Sequence, residues 1–232
     1  MKNIAIIPAR GGSKRIPKKN IKEFCGEPMI SWTIKEAKKS KLFDEIIVST
    51  EDQDIADIAK KFGATTPFTR PFELADDFTT THSVVLNGIQ TLLDLSWDFD
   101  MVCCLYPCSP FINYQDLIAT YDLLNKNKSL YVYPVTPYSH PIQRAMSLST
   151  KNKLEYVDRS NETSRTQDLE VRYHDTGQFY WGSKDQWLTT DKIHSNAVGY
   201  AIPASRVVDI DEPDDWKLAE LLFSSMSNQK NQ

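Results

Sequence analysis

Several chemistries are excluded by what this 232-residue chain lacks. It has no run of about 20 apolar residues, so no membrane-spanning helix is expected. It has no excess of positive charge. The net charge is −4 and the isoelectric point is near 5.6, which argues against general nucleic-acid binding. Cysteine is sparse: Cys25, Cys103, Cys104 and Cys108 are all there is. Adjacent Cys103 and Cys104 on a strand point to opposite faces. They suit neither a disulfide framework nor a zinc knuckle, and read as reduced core thiols of a cytoplasmic protein. His82, His140 and His194 have no carboxylate or histidine partner at metal spacing, so they read as structural. Gly-x-Ser-x-Gly and His-Glu-x-x-His are absent, and no covalent nucleophile is visible. The Walker A loop and the Gly-x-Gly-x-x-Gly fingerprint are absent too.

What is present starts at once. Ile4-Ala5-Ile6-Ile7 reads as a buried parallel strand rather than a signal peptide. It runs into Ala9-Arg10-Gly11-Gly12-Ser13-Lys14-Arg15-Ile16-Pro17-Lys18-Lys19-Asn20, two glycines among five basic residues. Glycines let backbone N–H groups approach a bound oxygen, and Arg and Lys neutralise phosphate. Such a loop at a strand's carboxyl end is a polyphosphate site or, more plainly, a solvated basic turn.

Strand and helix patterns then alternate. Met29 to Lys39 reads as a helix and Glu45 to Thr50 as a strand. Thr50-x-x-Gln53 matches a capping box, ahead of a helix with Ile55, Ile58, Ala59 and Phe62 on one face and Gly63 as its stop. Val85, Ile89, Leu92 and Leu93 mark a helix, Met101 to Leu105 a buried strand, and Leu117, Ile118, Tyr121 and Leu124 another helix. Leu130 to Val135, Gln178 to Trp181, Ala197 to Ile202 and Val207 to Asp211 read as further strands. Pro213 opens a closing helix, and Ser224 to Gln232 reads as a frayed tail. This rhythm predicts one α/β domain over 1–232 with a mostly parallel, doubly wound, Rossmann-like sheet, its ligand beyond the strands' carboxyl ends. The rhythm breaks over 139–166, a polar and irregular stretch with a short strand at Leu154 to Val157. It reads as an inserted arm or lid.

Asp209 and Asp211, two apart on an extended segment, share one face. Two such carboxylates suit Mg²⁺ completed by water and phosphate oxygens, although Asp211 also sits where a helix cap would. Arg165-Thr166-Gln167-Asp168-Leu169 and Tyr173-His174-Asp175-Thr176-Gly177-Gln178, leading into Phe179-Tyr180-Trp181, could line a site for a carboxylated, polyhydroxylated ligand. An exposed loop before a core strand is the plainer reading.

Three ordered motifs resemble the acylneuraminate cytidylyltransferase family. They are Ala9 to Lys14 with Ile16-Pro17-x-Lys19-Asn20, Arg70-Pro71-x-Glu73-Leu74-Ala75-x-Asp77, and Asp209-Ile210-Asp211-x-Pro213-x-Asp215. The resemblance implies activation of a nine-carbon ulosonic acid with CTP, pyrophosphate release, and Mg²⁺ as cofactor. It places Ala9, Arg10, Gly11, Gly12, Ser13, Lys19 and Asn20 in the CTP cradle and Arg70 and Thr81 near the nucleotide. It makes Asp209 and Asp211 the metal carboxylates, with Arg10, Lys19 and Asp211 carrying the catalysis. The runs Arg165 to Leu169 and Tyr173 to Gly182 are similar to the branch that activates pseudaminic acid. Sialic-acid-activating members carry Gln-Pro-Thr-Ser-Pro where this chain has Tyr106 to Pro110, and Arg-Pro-Asn-Gly where it has His174 to Gly177. The sugar would then meet Tyr106, Arg165, His174, Asp175, Gln178 and Tyr180, with Phe179 and Trp181 as possible apolar surface. Legionaminate, N-acetylneuraminate or the eight-carbon Kdo remain alternative sugars, and a non-catalytic nucleotide-binding module a third reading. The resemblance also implies a homodimer in which the arm reaches the partner.

Overall fold

The computed structural model describes residues 1–127, 131–195 and 197–229. The chain begins with β1 (Asn3–Pro8), a small hairpin of β2 (Glu23–Phe24) and β3 (Glu27–Pro28), then α1 (Met29–Ser40), β4 (Glu45–Ser49) and α2 (Gln53–Phe62). There follow α3 (Thr81–Asp94), β5 (Met101–Leu105), α4 (Tyr114–Asn127) and β6 (Tyr131–Pro137). The second half holds β7 (Met146–Leu148), β8 (Leu154–Tyr156), β9 (Tyr173–Asp175), β10 (Phe179–Ser183), α5 (Lys184–Thr189), β11 (Ala197–Ala201) and α6 (Pro213–Gln229). Among the described residues no helix is long and apolar enough to cross a membrane.

The main sheet runs β11-β6-β10-β5-β1-β4, with β9 paired to β6. The pairings β1 with β4, β1 with β5, and β6 with β11 are parallel. Strand β10 lies antiparallel between β5 and β6, and β9 is antiparallel to β6. The sheet is therefore mostly parallel, as the alternating pattern predicts. Its strands are apolar at successive positions because both faces are covered. Ala5, Ile7, Cys103, Leu105, Phe179 and Trp181 pack against α1, α2 and α4 on one side. Ile4, Ile6, Val102, Cys104 and Tyr180 pack against α3 and α5 on the other. Cys103 and Cys104 do face opposite ways, and burial pushes both thiols up in pKa.

A third cluster seats the C-terminal segment. Ile210, Trp216 and Ala219 pack with Ile16, Phe24, Met29 and Phe111. The expected strand Val207 to Asp211 is instead an extended segment without sheet pairing. Ile210 is inserted, at 2% exposure, with half-buried Val208 packed against the same cluster. Burying an isoleucine contributes about 1.5–3 kcal/mol, and here that contribution anchors the segment that carries Asp209 and Asp211.

Two local readings change. Helix α2 is capped by Asp52, whose Oδ1 accepts from the Ile55 N–H at 3.2 Å, whereas the Thr50 hydroxyl accepts from the Asp52 N–H at 3.1 Å. Asp beats the Thr50 reading because it is the residue adjacent to the first helical turn. The tail is helical through Gln229, since Leu222, Phe223 and Met226 still find the third cluster. Leu130, taken as a strand start, and 230–232 lie outside the described residues.

The 139–166 segment carries the hairpin β7–β8, paired from Met146 with Tyr156 to Leu148 with Leu154. Leu148 (64% exposed), Leu154 (61%) and Val157 (72%) stand clear of every core cluster.

The close approach of β10 to its neighbours makes a test of the sheet. A Cβ on Gly182 would stand 2.8 Å from Tyr131 Cε1, closer than real Cβ contacts come, and 3.1 Å from Trp187 Nε1. Gly182→Ala is expected to lower unfolding stability by about 1–3 kcal/mol through overpacking, read as a reduced denaturant midpoint. An unchanged midpoint would show that the two rings yield freely.

Candidate active site

A cleft of about 540 Å³ opens at the carboxyl ends of the parallel strands. The loop after β1 supplies Arg10, Ser13, Lys14, Arg15, Lys19 and Asn20. The loop between α2 and α3 supplies Arg70, Asp76 and Asp77, and Thr81, Tyr106 and Asp211 complete the lining.

The loop is held by its own polar groups. Ala9 is fully buried, and its N–H donates to the Ser49 carbonyl at 3.0 Å. The Gly11 N–H donates to Glu51 Oε1 at 2.7 Å, so in this structure that amide is turned away from the cleft. Gly11 is required for a different reason from the one expected. A Cβ there would stand 2.3 Å from Asp52 Oδ2, so the loop passes against the cap of α2. Gly12 has no atom within 4 Å of its Cβ position. Asn20, 6% exposed, donates through Nδ2 to the Arg10 carbonyl at 2.9 Å and accepts from the Ile30 N–H at 2.8 Å. It fastens the loop to α1.

Positive charge is concentrated and incompletely paired. Arg70 is 4% exposed, and among the described residues its guanidinium donates to Ser49 alone, to its carbonyl from NH2 and to its hydroxyl from Nε at 3.3 Å. No carboxylate lies within ion-pair distance of it among the described residues. Burial pulls its pKa down, Glu51 opposes this, and Arg10 lowers it further. A buried cation facing another cation across a cleft is an anion site by charge alone.

The acidic side is arranged in the same way. Lys19 Nζ donates to the Ile210 carbonyl at 2.6 Å and lies 3.3 Å from Asp211 Oδ1. Arg15 NH2 lies 2.9 Å from Asp211 Oδ2. Asp211 does not cap α6. Instead Asp215, inside the first turn of α6, reaches back, its Oδ2 accepting from the Asp211 and Glu212 N–H groups at 3.0 and 2.7 Å. Asp209 has no hydrogen-bond or ion-pair partner among the described residues. Burial, then the charge of Asp211, raises its pKa above the ordinary 3.8 against the pull of Lys19. An unpartnered carboxylate beside a second one is a donor set that fits a hard divalent cation. No group of three or more His, Cys, Asp or Glu suited to a metal occurs among the described residues, so the remaining oxygens would come from ligand and water.

Beside the cleft lies a smaller cavity of about 270 Å³ that shares Thr81 and Tyr106 with it. The Thr81 and Tyr106 hydroxyls are 2.7 Å apart, and burial pushes the Tyr106 phenol up to about 12. Tyr180 lines the smaller cavity and donates to Asp175 Oδ2. Asp175 Oδ1 accepts from the Gly177 N–H at 2.9 Å. Other expected sugar contacts are not brought there. Gln178 Nε2 donates to the Arg206 carbonyl at 2.7 Å while its Oε1 is buried and unpartnered, and neither cavity includes it. His174 packs against the Tyr138 ring at 4.7 Å. Arg165 sits on the exposed arm, paired with Asp168 at 2.7 Å. Phe179 and Trp181 are fully buried in the core, so they offer no surface to a ligand. They share the opposite sheet face from Tyr180, as strand alternation requires.

Sequence reasoning passed over Arg15 as an Asp211 partner and His82 and His194 as lining residues of the smaller cavity. His194 Nε2 lies 3.8 Å from Asp175 Oδ2. The carboxylate is far away in sequence, so no spacing rule could find it.

The raised pKa of Asp209 gives a signed test. Above the ordinary aspartate value the unfolded chain ionises this group more readily than the folded one. Stability is therefore lost as pH rises from about 3.8 through the higher folded value. In metal-free buffer Asp209→Asn is expected to melt higher than the parent at pH 7, and the advantage is expected to vanish below the ordinary carboxylate range. A parent that melts higher at pH 7 would contradict this.

The cytidylyltransferase family model matches residues 4–196. The pseudaminic acid cytidylyltransferase of Campylobacter jejuni serotype O:2 is 42% identical over 226 residues, covering 96% of this chain and 97% of that protein. The CMP-N,N'-diacetyllegionaminic acid synthase of Legionella pneumophila is 31% identical over 231 residues, covering 96% and 97%. Among solved structures, a CMP:2-keto-3-deoxy-manno-octonic acid synthetase complexed with CTP superposes with a TM-score of 0.72 at 18% identity, covering 97% of this chain and all of that one. The charged cleft, the sheet that carries it and the length of these matches agree: this chain belongs to the cytidylyltransferase family.

Proposed function

We propose that this protein joins CTP to pseudaminic acid, giving CMP-pseudaminic acid and pyrophosphate. The observation that carries the reading is the 42% identity, over nearly the whole of both chains, with an enzyme of that activity. The expected alternatives, legionaminate and other ulosonates, have less support, since the legionaminate enzyme stands at 31%.

The cleft explains how the chemistry is served. CTP and the sugar acid are both anionic, and like unit charges about 4 Å apart repel by about 4 kcal/mol at an effective dielectric of 20. Arg10, Lys14, Lys19 and Arg70, all at the cleft, offset that repulsion and align the triphosphate. The anomeric hydroxyl attacks the α-phosphorus, a P–O bond forms as the bond to the pyrophosphate oxygen breaks in line, and the hydroxyl proton passes to water. Catalysis is positioning and charge stabilisation. Asp209 and Asp211 would hold a Mg²⁺, whose charge, when bound, counters that of the phosphates. The shared wall of Thr81 and Tyr106 divides nucleotide from sugar, and Asp175 and Tyr180 offer polar groups to the sugar's substituents.

The working form is a homodimer. The apolar side chains of Leu148, Leu154 and Val157 on the arm hairpin are exposed in one chain and would be covered by a second copy. The same packing could bring Arg165 to the partner's sugar site. Light scattering at micromolar concentration is expected to give twice the chain mass. A monomer would return the arm to the lid reading.

Pyrophosphate release with CTP or UTP and a panel of sugar acids tests the activity. The expected result is dependence on CTP and kcat/KM for pseudaminate at least about tenfold above that for N-acetylneuraminate, since each buried polar mismatch costs about 1–3 kcal/mol. EDTA is expected to abolish release and added Mg²⁺ to restore it. Asp211→Asn is expected to lower kcat/KM by about 10²-fold or more. A preference for N-acetylneuraminate would overturn the sugar assignment alone.

A further inference from the structure

Asp77 belongs to neither the expected metal pair nor the phosphate loop, yet it is bonded to two cations of that loop. Its Oδ1 accepts from Arg10 NH1 at 2.7 Å and its Oδ2 from Lys14 Nζ at 2.6 Å. The Asp76 carbonyl accepts from the same Arg10 NH1 at 2.6 Å. Both contacts to Arg10 therefore fall on one nitrogen. Nε and NH2 have no protein partner among the described residues, and the side chain lines the cleft. A guanidinium has five N–H donors in a rigid fork, so anchoring NH1 fixes the plane and leaves the rest of the fork for a ligand. The Arg10 backbone is fixed independently by Asn20.

We propose that Asp77 is a positioning residue for the CTP triphosphate. From the loop between α2 and α3 it holds Arg10 and Lys14 across the cleft before the nucleotide arrives. This rests on the nucleotide reading above. The alternative is that the carboxylate competes with phosphate for the same cations, and the two roles predict opposite signs. Ordering long side chains at the moment of binding weakens affinity. A carboxylate that orders them beforehand strengthens it, whereas a competitor weakens it. Two observations and one consequence of chain connectivity favour positioning. The arginine is held at one nitrogen only. The Asp76 carbonyl, an uncharged acceptor that a phosphate need not displace, holds the same nitrogen. Asp77 is itself tethered by its chain rather than diffusing, so it can remain beside NH1 when phosphate meets Nε and NH2. The Lys14 and Arg10 hydrogen bonds also hold the Asp77 carboxyl below the usual range, so it stays ionised at working pH.

The test is calorimetric titration of CTP into the full-length protein without sugar acid. Binding by the parent establishes the nucleotide site, and its absence would sink that reading before this one is reached. Asp77→Asn is expected to bind CTP about 5- to 150-fold more weakly, the size set by two side chains ordered late. Its ligand-free melting temperature should be unchanged, and the loss should appear in KM for CTP rather than kcat. Asp77→Ser is the second variant and should show the same loss, while Asp77→Glu should recover most of it. In an Arg10→Ala background the Asp77→Asn effect should shrink, because only Lys14 remains to be positioned. Equal or tighter CTP binding by Asp77→Asn and Asp77→Ser, or an undiminished effect in the Arg10→Ala background, would overturn the proposal.

Discussion

The site depends first on the ammonium of Lys19. It joins the loop after β1 to a segment almost 200 residues later, through the Ile210 carbonyl at 2.6 Å and Asp211 at 3.3 Å. Arg15 doubles the connection to Asp211 at 2.9 Å. Beneath the polar bridge, Ile16 and Ile210 share one apolar cluster. Charge on top and packing underneath thus hold the same two segments, and the cleft has a fixed far wall. Without the packing the bridge would be a pair of surface ion pairs, worth about 0–1 kcal/mol each. With it, the cations and carboxylates are set at one edge of a rigid sheet.

The same edge carries charge that the folded chain does not neutralise. Arg70 is buried without a carboxylate of the described residues within ion-pair distance, and Asp209 stands near Asp211 with its proton affinity raised. The burial of Arg70 is unfavourable to folding by itself, and so is the like charge that Asp211 sets beside Asp209. Together they suit a ligand that brings phosphate to the arginine and a cation to the aspartates. Perturbed groups gathered in one cleft are a mark of functional sites.

Much of this was legible in the sequence, and the reason is local. Strands buried on both faces and helices with one apolar face write their periods directly, so β1, β4, β5 and α1 to α4 were readable. Cys103 and Cys104 even gave the two faces of β5. Val207 to Asp211 alternated like a strand but had no neighbour to pair with, and pairing is not written in a single segment. The Thr50 box failed because Asp52, two residues on, was better placed. Of the site, the loop from Arg10 to Asn20 and the pair Asp209 and Asp211 were visible as motifs. The bonds of Asp77 to Arg10 and the approach of His194 to Asp175 were not. They join loops that only the tertiary fold brings together. Arg165 and His174 were read from a motif whose partners do not lie in the single chain's cavities.

Strand β10 lies between β5 and β6 in the sheet but follows both in the chain. During synthesis, therefore, the slot it fills stands open from the time β6 emerges until Ser183 has been made. At about 5–20 residues per second the ribosome takes roughly 2–9 s to cover that stretch. Through those seconds two apolar strands present unpaired edges, a hazard for pairing with the wrong chain. The arm, which occupies most of the interval, delays closure of the core it decorates.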